Sequence, residues 1–164
     1  AHHGTGVASL VEAVASRRSF LICRPFVSVI TNIEVDHLST YGDYATLEAA
    51  FADFARLTDP EGFVVTCADD PGTRRLAGAL RAEGRRVYTY GEAPDADLRM
   101  SELASSAQGV RDLAEAQGRS LGEIRLPVPG RHMGLNSASA VPSGVGMRTA
   151  VSRREAAFAL PASA

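Results

Sequence analysis

Val27-Ser28-Val29-Ile30-Thr31-Asn32-Ile33-Glu34-Val35-Asp36-His37-Leu38-Ser39-Thr40-Tyr41-Gly42-Asp43 decides how this chain is read. A β-branched run ends abruptly in two carboxylates and an imidazole. Near-continuous apolar runs of this length belong to strands buried on both faces, the habit of parallel sheets covered by helices. Ligands bind just beyond the carboxyl ends of such strands, so Glu34, Asp36 and His37 stand where chemistry is expected.

The flanks fit the same architecture. Tyr44, Leu47, Ala50, Phe51, Phe54 and Leu57 recur at three- and four-residue spacing and predict an amphipathic helix from Asp43 to Leu57, ended by Pro60 and Gly62. Phe63–Ala68 reads as a second apolar strand, and Asp69-Asp70-Pro71-Gly72 as the cap of a helix from Thr73 to Glu83 closed by Gly84. Val87–Tyr90 is a further strand, and Asp97–Leu103 alternates well enough for an edge strand. Leu10–Ala13 reads as a short strand carrying Glu12, and Phe20–Cys23 as an ordered segment. Residues 104 to 123 are helix-compatible but interrupted by Gly109, Gly118 and Gly122, and Ile124–Val128 reads as a final strand. Residues 141 to 164 show no consistent period and are expected to be a poorly specified tail. Strands alternating with helices imply right-handed crossovers. The expected fold is α/β: three layers, a mostly parallel open sheet with helices on both faces.

The bulk numbers narrow the function. At 164 residues the chain is about one domain and can bury roughly two thirds of its unfolded surface. A net charge of −2 gives no broad positive field, which argues against nucleic acid as a partner. No apolar run approaches the roughly 18 residues needed to span a bilayer, and no secretion signal is visible, so a cytoplasmic location is the simplest expectation. Cys23 and Cys67 lack ligand spacing and read as buried thiols. All seventeen basic residues are arginine. Without lysine these residues can form no GxxxxGK[ST] phosphate loop and no Schiff base, so a phosphate-binding lysine would have to come from elsewhere.

Two clusters could carry chemistry. Glu34, Asp36 and His37 could hold Mg²⁺ or orient phosphate oxygens, because a hard cation takes oxygen ligands and imidazole can complete or support the set; equally, Asp36 could cap the following turn while Glu34 and His37 face solvent. Pro129-Gly130-Arg131-His132 puts a cation and an imidazole on a glycine turn, which suits an anion or a purine edge, although exposed Arg-His turns are common. Asp69-Asp70 is read as structural, since capping explains it. His2 and His3 fit either a tag remnant or a loop.

Thr31-Asn32-Ile33-Glu34-x-Asp36-His37-Leu38-x-x-Tyr41-Gly42-Asp43, then Cys67-Ala68-Asp69-Asp70-Pro71-Gly72, then Tyr90-Gly91, then Val128-Pro129-Gly130-Arg131-His132-x-x-Leu135-Asn136, closely resemble in that order the central domain of the Mur ligases. Tyr41-Gly42-Asp43 resembles the alanine-adding branch, and His3-Gly4-Thr5-Gly6 is similar to the family segment leading into an acidic strand end. The resemblance covers about residues 3 to 140. It implies a partial, P-loop NTPase-like central domain over residues 1–140, truncated at both ends: the phosphate loop, a UDP-binding domain and an amino-acid-binding domain have no counterpart here. It also implies an ATP- and Mg²⁺-dependent ligase that phosphorylates the lactyl carboxylate of UDP-N-acetylmuramate and lets L-alanine attack the acyl phosphate, in peptidoglycan synthesis. Carried over, Glu12 and His37 match magnesium-binding positions; Arg131, His132 and Asn136 match the turn near the adenine; Asn32, Glu34 and Asp36 match positions lining the cleft, Asn32 toward the nucleotide.

Departures cut against the likeness. Val14-Ala15-Ser16-Arg17 replaces an acidic run, and Met133 stands where an asparagine is usual. A degenerate, non-catalytic domain kept for binding or assembly is therefore the competing reading. The missing lysine gives a first prediction: incubated with ATP, Mg²⁺, UDP-N-acetylmuramate and L-alanine, the isolated chain should release no phosphate and form no amide; measurable turnover would contradict the lysine argument.

Overall fold

The structure, a computed structural model, describes residues 10–12, 24–34, 41–143 and 156–159, the first and last of these by backbone pairing alone. Among the described residues nine strands form one sheet: β1 (Leu10–Glu12), β2 (Val27–Ile30), β3 (Phe63–Cys67), β4 (Val87–Gly91), β5 (Leu98–Met100), β6 (Ala104–Ser106), β7 (Gly109–Ala116), β8 (Arg119–Leu126) and β9 (Ala156–Ala159). Their order is β1-β9-β2-β3-β4-β5-β7-β6, with β8 also paired to β7. Every pairing from β1 to β5 is parallel, and every pairing of β7 is antiparallel.

Every residue of β2 and of β3 is buried, as strands covered on both faces require. Helices α1 (Tyr44–Arg56) and α2 (Pro71–Ala82) cover one face, where Leu47, Phe54, Leu76 and Leu80 pack with Ile30 and Val64. On the other face Val27, Val29, Phe63, Val65, Tyr90 and Met100 pack with Ala138 and Leu135 of α3 (Arg131–Ala138). The three expected layers are present. Asp43 caps α1, its carboxylate accepting from Thr46 N–H at 2.7 Å, a bond that holds this acid below the usual carboxylate range. Asp70 caps α2 in the same way, and Pro71 supplies a first-turn residue whose missing N–H costs nothing there. The polar Ser28 is tolerated inside β2 because its hydroxyl bonds that of Thr58 at 2.6 Å.

Five expectations are corrected. The run from Val27 ends as a strand at Ile30 rather than Ile33, and the Ile33 backbone bonds instead to the side chains of Asp70, which caps α2, and Tyr44 of α1. The strand expected at the edge over Asp97–Leu103 is shorter, Leu98–Met100, and lies inside the sheet between β4 and β7. Residues 104 to 123 form no helix; they build β6, β7 and the start of β8. Gly109, Gly118 and Gly122 all take positive φ, which a right-handed helix forbids, and Gln117 (φ 52°) with Gly118 (φ 72°) make the two-residue turn that joins twisted strands. Ile124 accordingly belongs to the longer antiparallel β8, not to a separate final strand. Within the stretch that shows no sequence period, Ala156–Ala159 inserts as β9 between β1 and β2. The Phe20–Cys23 segment lies outside the described residues.

Phe54 is fully buried between α1 and the sheet. Phe54→Ala should cost about 3–5 kcal/mol, read as a lower denaturation midpoint in urea with little change in slope.

Candidate functional site

Burial of β2 and β3 on both faces drives polar groups to the strand ends. Beyond β2, the Asn32 Nδ2 donates to Glu34 Oε1 at 2.6 Å. The Asn32 Oδ1 and the Thr31 hydroxyl are buried and have no partner among the described residues. Between Asn32 and Glu34, Ile33 is held by both of its backbone groups: its N–H donates to Asp70 Oδ2 at 3.3 Å, and its carbonyl accepts from the Tyr44 hydroxyl at 3.3 Å. Arg75 steadies Tyr44, donating to its oxygen at 3.0 Å with the guanidinium 5.8 Å from the ring centre.

The adjacent acid reaches the other way. Asp69 accepts the Glu92 and Ala93 N–H groups beyond β4, one on each carboxylate oxygen, both at 2.8 Å. Glu92 in turn pairs with Arg131 in the first turn of α3. Gly130 (φ 115°) leads into that turn, so Arg131 and His132 begin a helix rather than sit on a free glycine turn. Under this layer the Cys67 thiol and the Tyr90 phenol are both pushed upward in pKa, chiefly by burial.

Asn32 and Glu34 are thus in contact, Arg131 is tied to the β4 end through Glu92, and His132 and Asn136 lie on the same short helix as Arg131. Glu12 closes β1, in register with Phe158 and through it with Val29, which places its backbone two strands from β2 in the same parallel orientation, about 10 Å across the sheet. Asp36, His37, the replaced acidic run Val14–Arg17 and the amino-terminal histidines lie outside the described residues. Among the described residues no group of three or more His, Cys, Asp or Glu side chains is gathered for a metal. Sequence reading missed Glu92 and Tyr44, whose roles depend on partners 39 and 11 residues away. It also missed Asp112, an acid in an otherwise alternating strand, which is 2% exposed, one carboxylate oxygen having no partner among the described residues.

Residues 8–143 match the family described as Mur ligase middle domain. A UDP-N-acetylmuramate–L-alanine ligase of Salinispora arenicola is 72% identical over 159 residues, covering 97% of this chain and 31% of its own length. That of Salinispora tropica is 77% identical over 141 residues, 86% of this chain and 27% of its own. The chain therefore spans less than a third of these curated relatives. Among solved structures, the UDP-N-acetylmuramate-alanine ligase MurC of Thermotoga maritima superposes with a TM-score of 0.63 at 28% identity, over 80% of this chain and 28% of that one. MurF of Acinetobacter baumannii gives 0.66 at 24% identity over 79% and 27%, a likeness of fold alone.

Asp112 supplies a pH test. Burial, outweighing the Glu102 and Leu113 amides, holds its carboxyl above the ordinary 3.8. The folded state then binds the proton more tightly than the unfolded chain, so this group's contribution is present at acid pH and lost as pH rises through the folded value. Asp112→Asn keeps an oxygen for the Glu102 N–H and carries no charge. Its melting temperature should match the native chain near about pH 3 and exceed it by a few degrees near about pH 7.

Proposed function

The chain belongs to the Mur ligase family through its middle domain, and on that premise we propose that it is the nucleotide-handling part of an enzyme that joins L-alanine to UDP-N-acetylmuramate through an acyl phosphate in peptidoglycan synthesis. The observation that carries the reading is the Asn32–Glu34 pair: oxygen donors, one of them buried and unpartnered, at the carboxyl edge of a parallel sheet in a chain so close to two such ligases. The middle-domain piece runs over residues 1–140, and from the tail that follows, residues 141–164, Ala156–Ala159 enters the same sheet as β9.

The residues suit the groups this reading requires. Mg²⁺ takes hard oxygen ligands, and the Asn32 carboxamide oxygen and the Glu34 carboxylate are of that kind. Glu12 and His37 are the proposed metal-binding residues, with Asp36 lining the same cleft. When bound, the ion neutralises phosphate charge. Asn32 orients the polar edge of the nucleotide, while Arg131, His132 and Asn136 on α3 receive its base end. Glu92 holds Arg131 to the β4 end, which fixes the start of that helix. ATP binding here needs no lysine, whereas phosphoryl transfer does; the lysine comes from the longer protein, and the isolated chain is silent. Among the described residues no helix is long and apolar enough to cross a membrane, and water-borne substrates suit a cytoplasmic enzyme without membrane or nucleic-acid partners.

Met133, 39% exposed in the first turn of α3, favours the competing reading of a non-catalytic domain, since an apolar side chain there offers a base no polar contact. Calorimetric titration of the chain with ATP in the presence of Mg²⁺ separates the two. Weak binding that drops about tenfold in Asn32→Ala supports the ligase reading. No heat at millimolar ATP would leave the eroded domain as the better account.

A further inference from the structure

Asp69 and Asp70 do more than a helix cap requires. With the single oxygen Oδ2, Asp70 accepts both the Thr73 N–H that begins α2, at 2.7 Å, and the Ile33 N–H beyond β2, at 3.3 Å. Asp69 uses its two oxygens on the consecutive N–H groups of Glu92 and Ala93 beyond β4. Two neighbouring side chains at the end of β3 therefore tie down the exits of both strands that flank it. The residue tied on one side lies between Asn32 and Glu34. The residue tied on the other carries the carboxylate that pairs with Arg131.

The surroundings are shaped to keep those ties short. A Cβ on Gly91 would stand 2.5 Å from Asp69 Oδ2, and φ of 146° there already excludes most side chains. A Cβ on Gly72 would stand 2.7 Å from the Tyr44 oxygen and 2.9 Å from the Ile33 Cβ. Capping α2 by itself needs one oxygen on one N–H and would be served by serine. It requires neither a second acceptor role nor a glycine under each tie.

We propose that Asp69 and Asp70 form a yoke that sets the separation between the Asn32–Glu34 oxygens and the Arg131 end of α3, which makes both acids positioning residues for the cleft. The cleft itself rests on the function proposed above; the yoke does not need a bound ligand to be seen.

Because one oxygen of Asp70 serves both bonds, charge and geometry can be separated. Asp70→Asn retains an acceptor oxygen able to serve Thr73 and Ile33 together. Asp70→Ser retains the cap but is too short to reach Ile33. The readouts are the side-chain amide resonances of Asn32 in a ¹⁵N-labelled chain, the urea midpoint, and calorimetric titration with ATP and Mg²⁺. Asp70→Ser should shift the Asn32 resonances and weaken ATP binding about tenfold, while Asp70→Asn leaves both close to native. Should Asp70→Ser not fold, Tyr44→Phe removes the hydroxyl from the Ile33 carbonyl and should move the same resonances by less. Unmoved Asn32 resonances in the folded variant would overturn the yoke, as would equal losses in Asn and Ser. If the native chain binds no ATP, the proposed function fails, and the Asn32 resonances alone decide for or against the yoke.

Discussion

Burial of β2 and β3 on both faces is the constraint from which the rest follows. A strand covered by helices on one side and by α3 with its neighbours on the other has no solvent in which to leave a polar side chain. Ser28 is paired with Thr58, whereas the buried Thr66 hydroxyl of β3 has no hydrogen-bond partner among the described residues. Around β2 and β3, the groups able to bind or carry charge are displaced to the exits of the strands. There the backbone has also lost its sheet partners, so the same few residues must satisfy the chain and present chemistry to a ligand. Asp69 and Asp70 take the first task, which leaves Asn32 and Glu34 available for the second.

Having arginine as the only long cation shapes the outer layer. Arg85 donates to the Thr58 and Arg56 carbonyls through different nitrogens, closing the end of α1 against the residues that follow α2. Arg81 reaches both the Val87 carbonyl and Asp97, whose carboxylate also accepts from Thr89. A guanidinium presents a fixed fork for such paired contacts, and an ammonium does not. These pairs are largely exposed and stabilise little individually. Their effect is to fix how the helices meet the loops at the amino-terminal side of the sheet, opposite the strand exits.

Much of this was legible because its cause is local. The helices Tyr44–Arg56 and Pro71–Ala82 follow from apolar spacing and from Asp43 and Asp70 beside their first turns. The parallel strands follow from unbroken apolar runs. The β7–β8 hairpin was not legible as such, because Gly109, Gly118 and Gly122 were read as interruptions of a helix, whereas their positive φ values are what the hairpin uses. The capping role of Asp70 could be read from its neighbours; its bond to Ile33, 37 residues earlier, could not.

The sequence by itself determined the alternation of strands and helices, the family, and the residue types available to a cleft, because periodicity, capping and motif order are written in neighbouring positions. Only the tertiary structure decided which backbone groups those side chains hold. The direction of Asp69 toward Glu92, the pairing of Glu92 with Arg131, the interior place of β5 and the burial of Asp112 all depend on strands lying side by side, and that adjacency comes from chain crossing rather than from residues near in sequence.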